Sequence, residues 1–289
     1  MKMRIILATT LGMLLMVGAW GQDMRILFLS TSERFVHPAI KREGDQLGVA
    51  ERVLTDLATQ MGATVTCTKD ASAINGENLK NYDLVAFYTQ GDLTKPSEDK
   101  TPPMGETGVT ELLAWIEQGG GFIGFHSATD SFRSEGDAVS PFTEMIGAEF
   151  RSHGAQFEGS VVVVDADHPT MQHVPQNWKL HEEWYLFTKF NTEDMHVLAL
   201  LDPGEERTKQ ADYDIQNYPI MWCRSYGQGR VYYTTLAHRE DIWTNPTFQQ
   251  VLKDTIAWAL GRGPADADSN YAELVQTAQP PPAEPEEER

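Results

Sequence analysis

Apolar positions recur in two alternating rhythms through the first half of the chain. Short blocks rich in β-branched and aromatic side chains fill residues 25–29, 63–68, 84–89 and 121–126, and each reads as a buried strand. Between them the apolar spacing changes to three and four. Residues 47–61 set Leu47, Ala50, Val53, Leu54, Leu57, Ala58 and Met61 on one helical face, and residues 107–118 do the same with Val109, Leu112, Leu113 and Ile116. Residues 248–260 repeat the pattern with Val251, Leu252, Ile256 and Ala259. Alternating strand and helix predicts an α/β fold, with a mainly parallel central sheet covered by helices on both faces. The second half is richer in strands, at 160–165, 197–202, 220–226 and 230–235. Tyr226-Gly227-Gln228-Gly229-Arg230 reads as a hairpin between the last two. Residues 97–108 are polar, carry Pro102 and Pro103, and read as a loop near the functional edge of the sheet. After Gly261 the pattern dissolves, and residues 264–289 read as a disordered acidic tail rich in Pro and Glu.

The N-terminus follows a different logic. Lys2 and Arg4 precede an apolar run at 5–17, broken only by Thr9, Thr10 and Gly12. Ala19 and Gly21 supply small residues at the −3 and −1 positions of a cleavage site before Gln22. Residues 1–21 are therefore expected to be a signal peptide, and the mature chain periplasmic or secreted. An uncleaved anchor is the alternative, but a strand begins almost at once, leaving no linker. No stable membrane insertion is expected after cleavage, because no other segment is long enough to span a bilayer.

Composition narrows the function classes. The chain has 289 residues, of which 41% are hydrophobic, enough to bury a large core. Its net charge is −19, which argues against nucleic acid, since phosphate backbones require clustered Lys and Arg. Cys67 and Cys223 are the only cysteines and sit in strand-like apolar runs. Buried free thiols are expected there, and a cysteine-based zinc site is excluded by count.

The chemistry concentrates in residues 119–130, GGGFIGFHSATD, a strand that ends on His126. Gly124-x-His126-x-Ala128 has the shape of a nucleophile elbow, in which small flanking residues permit a sharp strand-to-helix turn. An elbow normally carries Ser or Cys; this one carries His. Of the eight histidines, His37, His126 and His238 each follow an expected strand, and His153 follows a helix-like segment at 141–146. Open α/β sheets place chemistry beyond the carboxyl ends of their strands. His168 sits in a turn sequence, and His173 and His196 read as structural. His181-Glu182-Glu183-Trp184-Tyr185 is the other dense cluster. In an extended segment His181 and Glu183 would share a face. Glu183 would orient an imidazole, act as a base or ligate a metal; the bland reading is that both glutamates are solvated charges. Trp184 and Tyr185 either stack on a sugar or simply bury area. Three imidazoles and a carboxylate would suit a divalent zinc or manganese ion, although no His-x-His or His-x-x-x-His spacing is present. There is no Walker loop, and no G-x-G-x-x-G follows the first strand.

These residues resemble the trehalose-utilisation (ThuA-like) family of the class I glutamine amidotransferase-like superfamily. Five segments carry the likeness: Phe35-Val36-His37-Pro38; residues 119–132; Asp167-His168-Pro169; Glu182-Glu183-Trp184-Tyr185; and residues 219–238. The match covers about residues 24–261 of an expected domain at 22–263. The resemblance implies a flavodoxin-like three-layer sandwich. In true amidotransferases the elbow holds a cysteine, and a His-x-Glu pair follows near the C-terminus. Here His126 replaces the cysteine while His238-Arg239-Glu240 stands in the later place, so glutaminase activity is not expected. The family is linked to catabolism of trehalose and related disaccharides, alongside oxidoreductases that make 3-keto sugars.

The expectation is an exported carbohydrate-processing enzyme with a small-molecule sugar as its partner. His126, Glu183 and His238 would be catalytic. His37, Ser127, Asp130, His153, Trp184 and Tyr185 would line the substrate site. His126, His153, Glu183 and His238 are the metal candidates. The alternatives are metal-dependent hydrolysis, and a non-catalytic sugar-binding protein stacking sugars on Trp184, Tyr185 and Trp243.

Overall fold

A computed structural model describes residues 24–261 and 267–275. The expected signal peptide at 1–21 and the Pro/Glu run near the C-terminus lie outside the described residues. Among the described residues eleven strands form: β1 Met24–Leu29, β2 Ala63–Thr68, β3 Leu84–Phe87, β4 Gly121–Phe125, β5 Glu149–His153, β6 Phe157–Val163, β7 Asn177–Glu182, β8 Tyr185–Thr188, β9 His196–Asp202, β10 Tyr218–Tyr226 and β11 Gly229–Thr234.

Nine of them make one sheet in the order β2-β1-β3-β4-β11-β10-β9-β6-β7. The first five are mutually parallel, and the pairings from β11 outward are antiparallel. The parallel half has the strand order of a flavodoxin-like sheet, with β11 in fifth place. It is the half that the strand–helix alternation predicts. Its central strands are apolar because both faces are covered: β3 and β4 are buried at every residue, whereas the edge strand β2 carries three threonines and is partly open.

Helices Val49–Gln60 and Pro246–Ala259 touch each other on one face, while Gly108–Glu117 and Pro141–Ile146 touch each other and β11. Two glycines of β4 set how closely these layers approach. A Cβ on Gly121 would meet the Ala259 carbonyl oxygen at 2.5 Å, and one on Gly124 would meet Ile146 Cδ1 at 2.8 Å. Positions three apart on a strand face opposite ways, so the pair admits one helix to each side. The expected hairpin forms, with Tyr226 paired to Gly229.

Three strands are absent from the sequence expectation: β5, β7 and β8. β5 and β8 form a separate antiparallel pair that sets His153 opposite Tyr185. Part of the segment read as a disordered tail is also placed. Asn270 donates to the Val197 carbonyl at 3.0 Å and accepts from the Val197 N–H at 2.7 Å. Tyr271 is buried against Phe190, and the helix Tyr271–Val275 follows. Both cysteines are free thiols; Cys223 is buried and Cys67 partly so. No helix among the described residues is long and apolar enough to cross a membrane.

Candidate active site

The carboxyl ends of β1, β3, β4 and β11 converge. β4 ends at Phe125, and His126 turns out of it with φ at +42°, a left-handed conformation that non-glycine residues rarely adopt. The next residues, His126–Asp130, make one short 3-10 segment. After β11 a second left-handed residue, Ala237 at φ +93°, redirects the chain into His238. That strain is held by partners at both ends of the peptide unit. The Ala237 N–H donates to Glu182 Oε2 at 3.0 Å, and its carbonyl accepts from Tyr88 Oη and Trp243 Nε1, each at 3.0 Å.

Both elbows aim their imidazoles at Glu183. His126 is fully buried, and its Nδ1 donates to the Thr235 carbonyl at 2.7 Å. Its Nε2 therefore faces Glu183 Oε2 at 3.2 Å and His238 Nδ1 at 3.1 Å. His238 Nδ1 also lies 3.1 Å from Glu183 Oε2, and His153 Nδ1 lies 3.4 Å from Glu183 Oε1. The His37 ring sits edge-on to both His126 and His238, with centroids 5.1 and 5.2 Å away. Its Nδ1 is buried without a hydrogen-bond partner. Tyr185 forms the wall, its ring centroid 3.9 Å from that of His126.

Burial dominates the electrostatics. It depresses the pKa of His37 to about 2, with the neighbouring His126 and His238 adding to the effect, and it lowers His126 as well. Burial alone would raise the Glu183 carboxyl, but the His126 and His238 imidazoles outweigh it and hold the group below the usual carboxylate range. Glu182 has no such imidazole partner, and burial lifts it to about 8. The arrangement is one ionised carboxylate beside two buried imidazoles held neutral, His37 and His126, with the raised Glu182 carboxyl directly behind. Four of its members, His37, His126, Glu183 and His238, each offer one ligand atom, all within 4.8 Å of one another.

The structure thus brings His37, His126, His153, Glu183 and His238 together. Tyr185 joins them as a wall. Ser127 is buried beside His126, its hydroxyl unpartnered. Asp130 faces another way: it accepts from Gln90 at 2.8 Å and lies 3.8 and 3.5 Å from Arg34 and Arg133. Trp184 is fully buried with its indole N–H donated to the Phe157 carbonyl, and Trp243 is equally enclosed. Neither ring has a face open to a sugar, which corrects the expected stacking roles. His181 is exposed and does not share a face with Glu183, because β7 ends at Glu182 and the chain bends there. Both glutamates are buried, so neither is a solvated charge.

The carboxylate that engages His238 is Glu183, whereas Glu240 of the His-x-Glu pair is exposed. His168 packs on Cys223, His173 on Asp254 and His196 on Asp165, all outside the cluster. Sequence reasoning did not assign Glu182, Thr235 or Tyr88, which fix the loops behind the imidazoles; only Glu182 carried a signal, its adjacency to Glu183. Beside His238 opens a cavity of about 410 Å³ lined by Pro38, Gln156, His238, Arg239, Glu240 and Asp241. That volume falls within the range of small-molecule sites.

A family model described as trehalose utilisation, ThuA, matches residues 25–259. Among solved structures, a ThuA-like protein from Bacteroides uniformis is similar at 20% identity and a TM-score of 0.62, covering 82% of this chain and 91% of its own. One from Parabacteroides merdae is similar at 16% identity and a TM-score of 0.62, covering 89% and 96%. A cytoplasmic protein from Salmonella typhimurium shares 11% identity at a TM-score of 0.53, covering 83% and 100%. These likenesses bear on the fold. No curated protein matches the chain.

Proposed function

The chain belongs to the ThuA, trehalose-utilisation family, and we propose that it is an exported carbohydrate-processing enzyme whose acid–base groups are His126, Glu183 and His238. One observation carries this reading: histidines from four separate segments meet a single carboxylate at the carboxyl edge of the sheet, beside an open cavity. A structural histidine needs one partner; nothing in the packing calls for four around one glutamate.

The substrate is a disaccharide, glycoside or keto-sugar. A carbonyl at a sugar ring carbon acidifies the adjacent C–H. A base held there removes that proton, and the resulting enolate either returns a proton elsewhere, giving isomerisation, or expels the neighbouring oxygen substituent, giving elimination. Glu183 and the paired imidazoles are the base, and His238, bordering the cavity, hands the proton on. No thiol stands in the cluster, so acyl-enzyme chemistry on glutamine is not part of the reading. Export rests on the sequence of residues 1–21. The sugar-binding alternative is disfavoured because Trp184 and Trp243 are enclosed.

The test is turnover across a panel of glycosides and 3-keto-glycosides by the purified chain and its His126→Ala variant. The wild type should form product, and the variant should lose it while keeping its circular dichroism spectrum. Undiminished turnover in the variant would remove His126 from the mechanism.

A further inference from the structure

Three ligand atoms of the cluster form a nearly equilateral triangle: His126 Nε2 to Glu183 Oε2 at 3.2 Å, Glu183 Oε2 to His238 Nδ1 at 3.1 Å, and His238 Nδ1 to His126 Nε2 at 3.1 Å. Hydrogen bonds do not account for it. The Nδ1 proton of His126 is committed to the Thr235 carbonyl, because a carbonyl oxygen only accepts. In neutral His126 this leaves a lone pair on Nε2, facing a carboxylate oxygen that also has only lone pairs. His238 Nδ1 carries at most one proton, which satisfies its own two edges at best. The His126–Glu183 edge stays acceptor against acceptor. His37 adds a second unsatisfied group, a buried Nδ1 with no partner, on a ring that packs against two of the three corners. A buried polar atom without a partner calls for an explanation.

We propose that His37, His126, Glu183 and His238 hold one divalent first-row transition cation, with His126, Glu183 and His238 as its inner triangle. With bonds of about 2.1 Å, ligand atoms lie roughly 3.4 Å apart in a tetrahedron and roughly 3.0 Å apart in an octahedron, and the observed edges fall between. Three nitrogens and one oxygen, with no thiolate, suit zinc or manganese better than calcium or magnesium, which take oxygen ligands. The outer contacts have the form expected around a metal centre. His126 is oriented by a carbonyl on its far nitrogen, and the second carboxylate oxygen of Glu183 is approached by His153. Glu182 accepts from the Glu183 N–H at 2.8 Å and from the Ala237 N–H, tying both ligand loops together. When bound, the cation supplies Lewis-acid polarisation of a substrate oxygen. The binding claim is tested separately from the carbohydrate reading; with the cation bound, the atoms left to that reading for proton transfer are Glu183 Oε1 and the far nitrogen of His238.

The experiment uses the full chain purified without chelator, its metal content measured by mass spectrometry, then stripped and titrated calorimetrically with zinc and separately with manganese. One equivalent of one of these ions per chain is expected, with at least a tenfold loss of affinity in Glu183→Gln and in His37→Ala, and none in His173→Ala. Glu183→Gln preserves side-chain volume, so a folded variant is available, with circular dichroism as the check. Failure of both ions to bind saturably, or equal binding in Glu183→Gln and His37→Ala, would overturn the proposal and leave a shared proton to close the triangle. Turnover by the metal-free chain in that case would keep the carbohydrate reading intact. Stoichiometric binding with no turnover of any sugar would support the centre and overturn the carbohydrate reading.

Discussion

His126 and His238 meet ring nitrogen to ring nitrogen at 3.1 Å although 112 residues separate them. The meeting follows from topology. β4 and β11 are parallel neighbours in register, Phe125 beside Thr234, so the residues that follow both strands leave the sheet at the same end. Each then turns through a left-handed residue, His126 itself in one case and Ala237 in the other.

Replacing Glu183 with Gln should lower turnover on the order of 10²–10⁴-fold, the usual worth of a positioned acid or base. Steady-state kinetics on the substrate found for the wild type is the measurement. A variant that retains full kcat would show that the carboxylate does not take part in proton transfer.

Glu182 serves the architecture of the site. Its carboxyl accepts two buried backbone N–H groups, those of Glu183 and Ala237. Glu182→Ala orphans both and should cost about 2–4 kcal/mol in urea unfolding. Glu182→Gln, which keeps one acceptor, should cost less. Equal stability of the two variants would contradict this account.

Acid sensitivity has a source remote from the site. His168 is buried, its Nδ1 accepts from the Thr170 N–H, and burial with the nearby His196 lowers its pKa to about 4. The unfolded chain takes up this proton near pH 6.5 and the folded chain only near 4, so acidification through that window favours unfolding. Stability should fall by roughly 1–3 kcal/mol between those limits from this residue. His168→Asn, with a carbonyl oxygen in place of Nδ1, should show a shallower decline in denaturant midpoints measured from pH 7 to pH 4.

Neither thiol should react readily in the native protein. Burial raises the pKa of Cys67 to about 11 and that of Cys223 further still. A colorimetric thiol reagent at pH 8 should find both groups slow in buffer and both free in denaturant. A single disulfide by mass, with no free thiol, would contradict the placement of the two cysteines.

Gly121→Ala should destabilise the fold by about 1–3 kcal/mol, because the added methyl meets the fixed Ala259 carbonyl oxygen rather than a side chain that can move. Thermal unfolding of the variant is the check.

The parallel half of the sheet was legible because burial on both faces makes the central strands β3 and β4 continuous apolar blocks, because the edge strand β2 is rich in β-branched residues, and because the helices between them keep a clean three-and-four spacing. β5 was not, since Glu149-Phe150-Arg151-Ser152-His153 is polar and pairs with β8 alone. β7 alternates between exposed and buried positions, but with Asn177, Lys179 and His181 on the open face it lacks the β-branched residues that mark a strand. For the site, three of the four clustered histidines were legible as residues following strands. Glu183 stood out only by its company, and its orientation depended on the bend after Glu182 that the extended pattern did not contain. Trp184 was misread as a sugar-stacking residue because an aromatic next to a carboxylate looks the same in sequence whether it faces a ligand or the core.

Among the described residues β11 is the last strand to leave the ribosome, yet it lies in the middle of the sheet, between β4 and β10. Until it inserts, the two halves have no seam to join them, and position 238 is missing from the cluster. A polypeptide that ends before residue 238 therefore lacks one corner of the cluster and the strand that joins the two halves of the sheet.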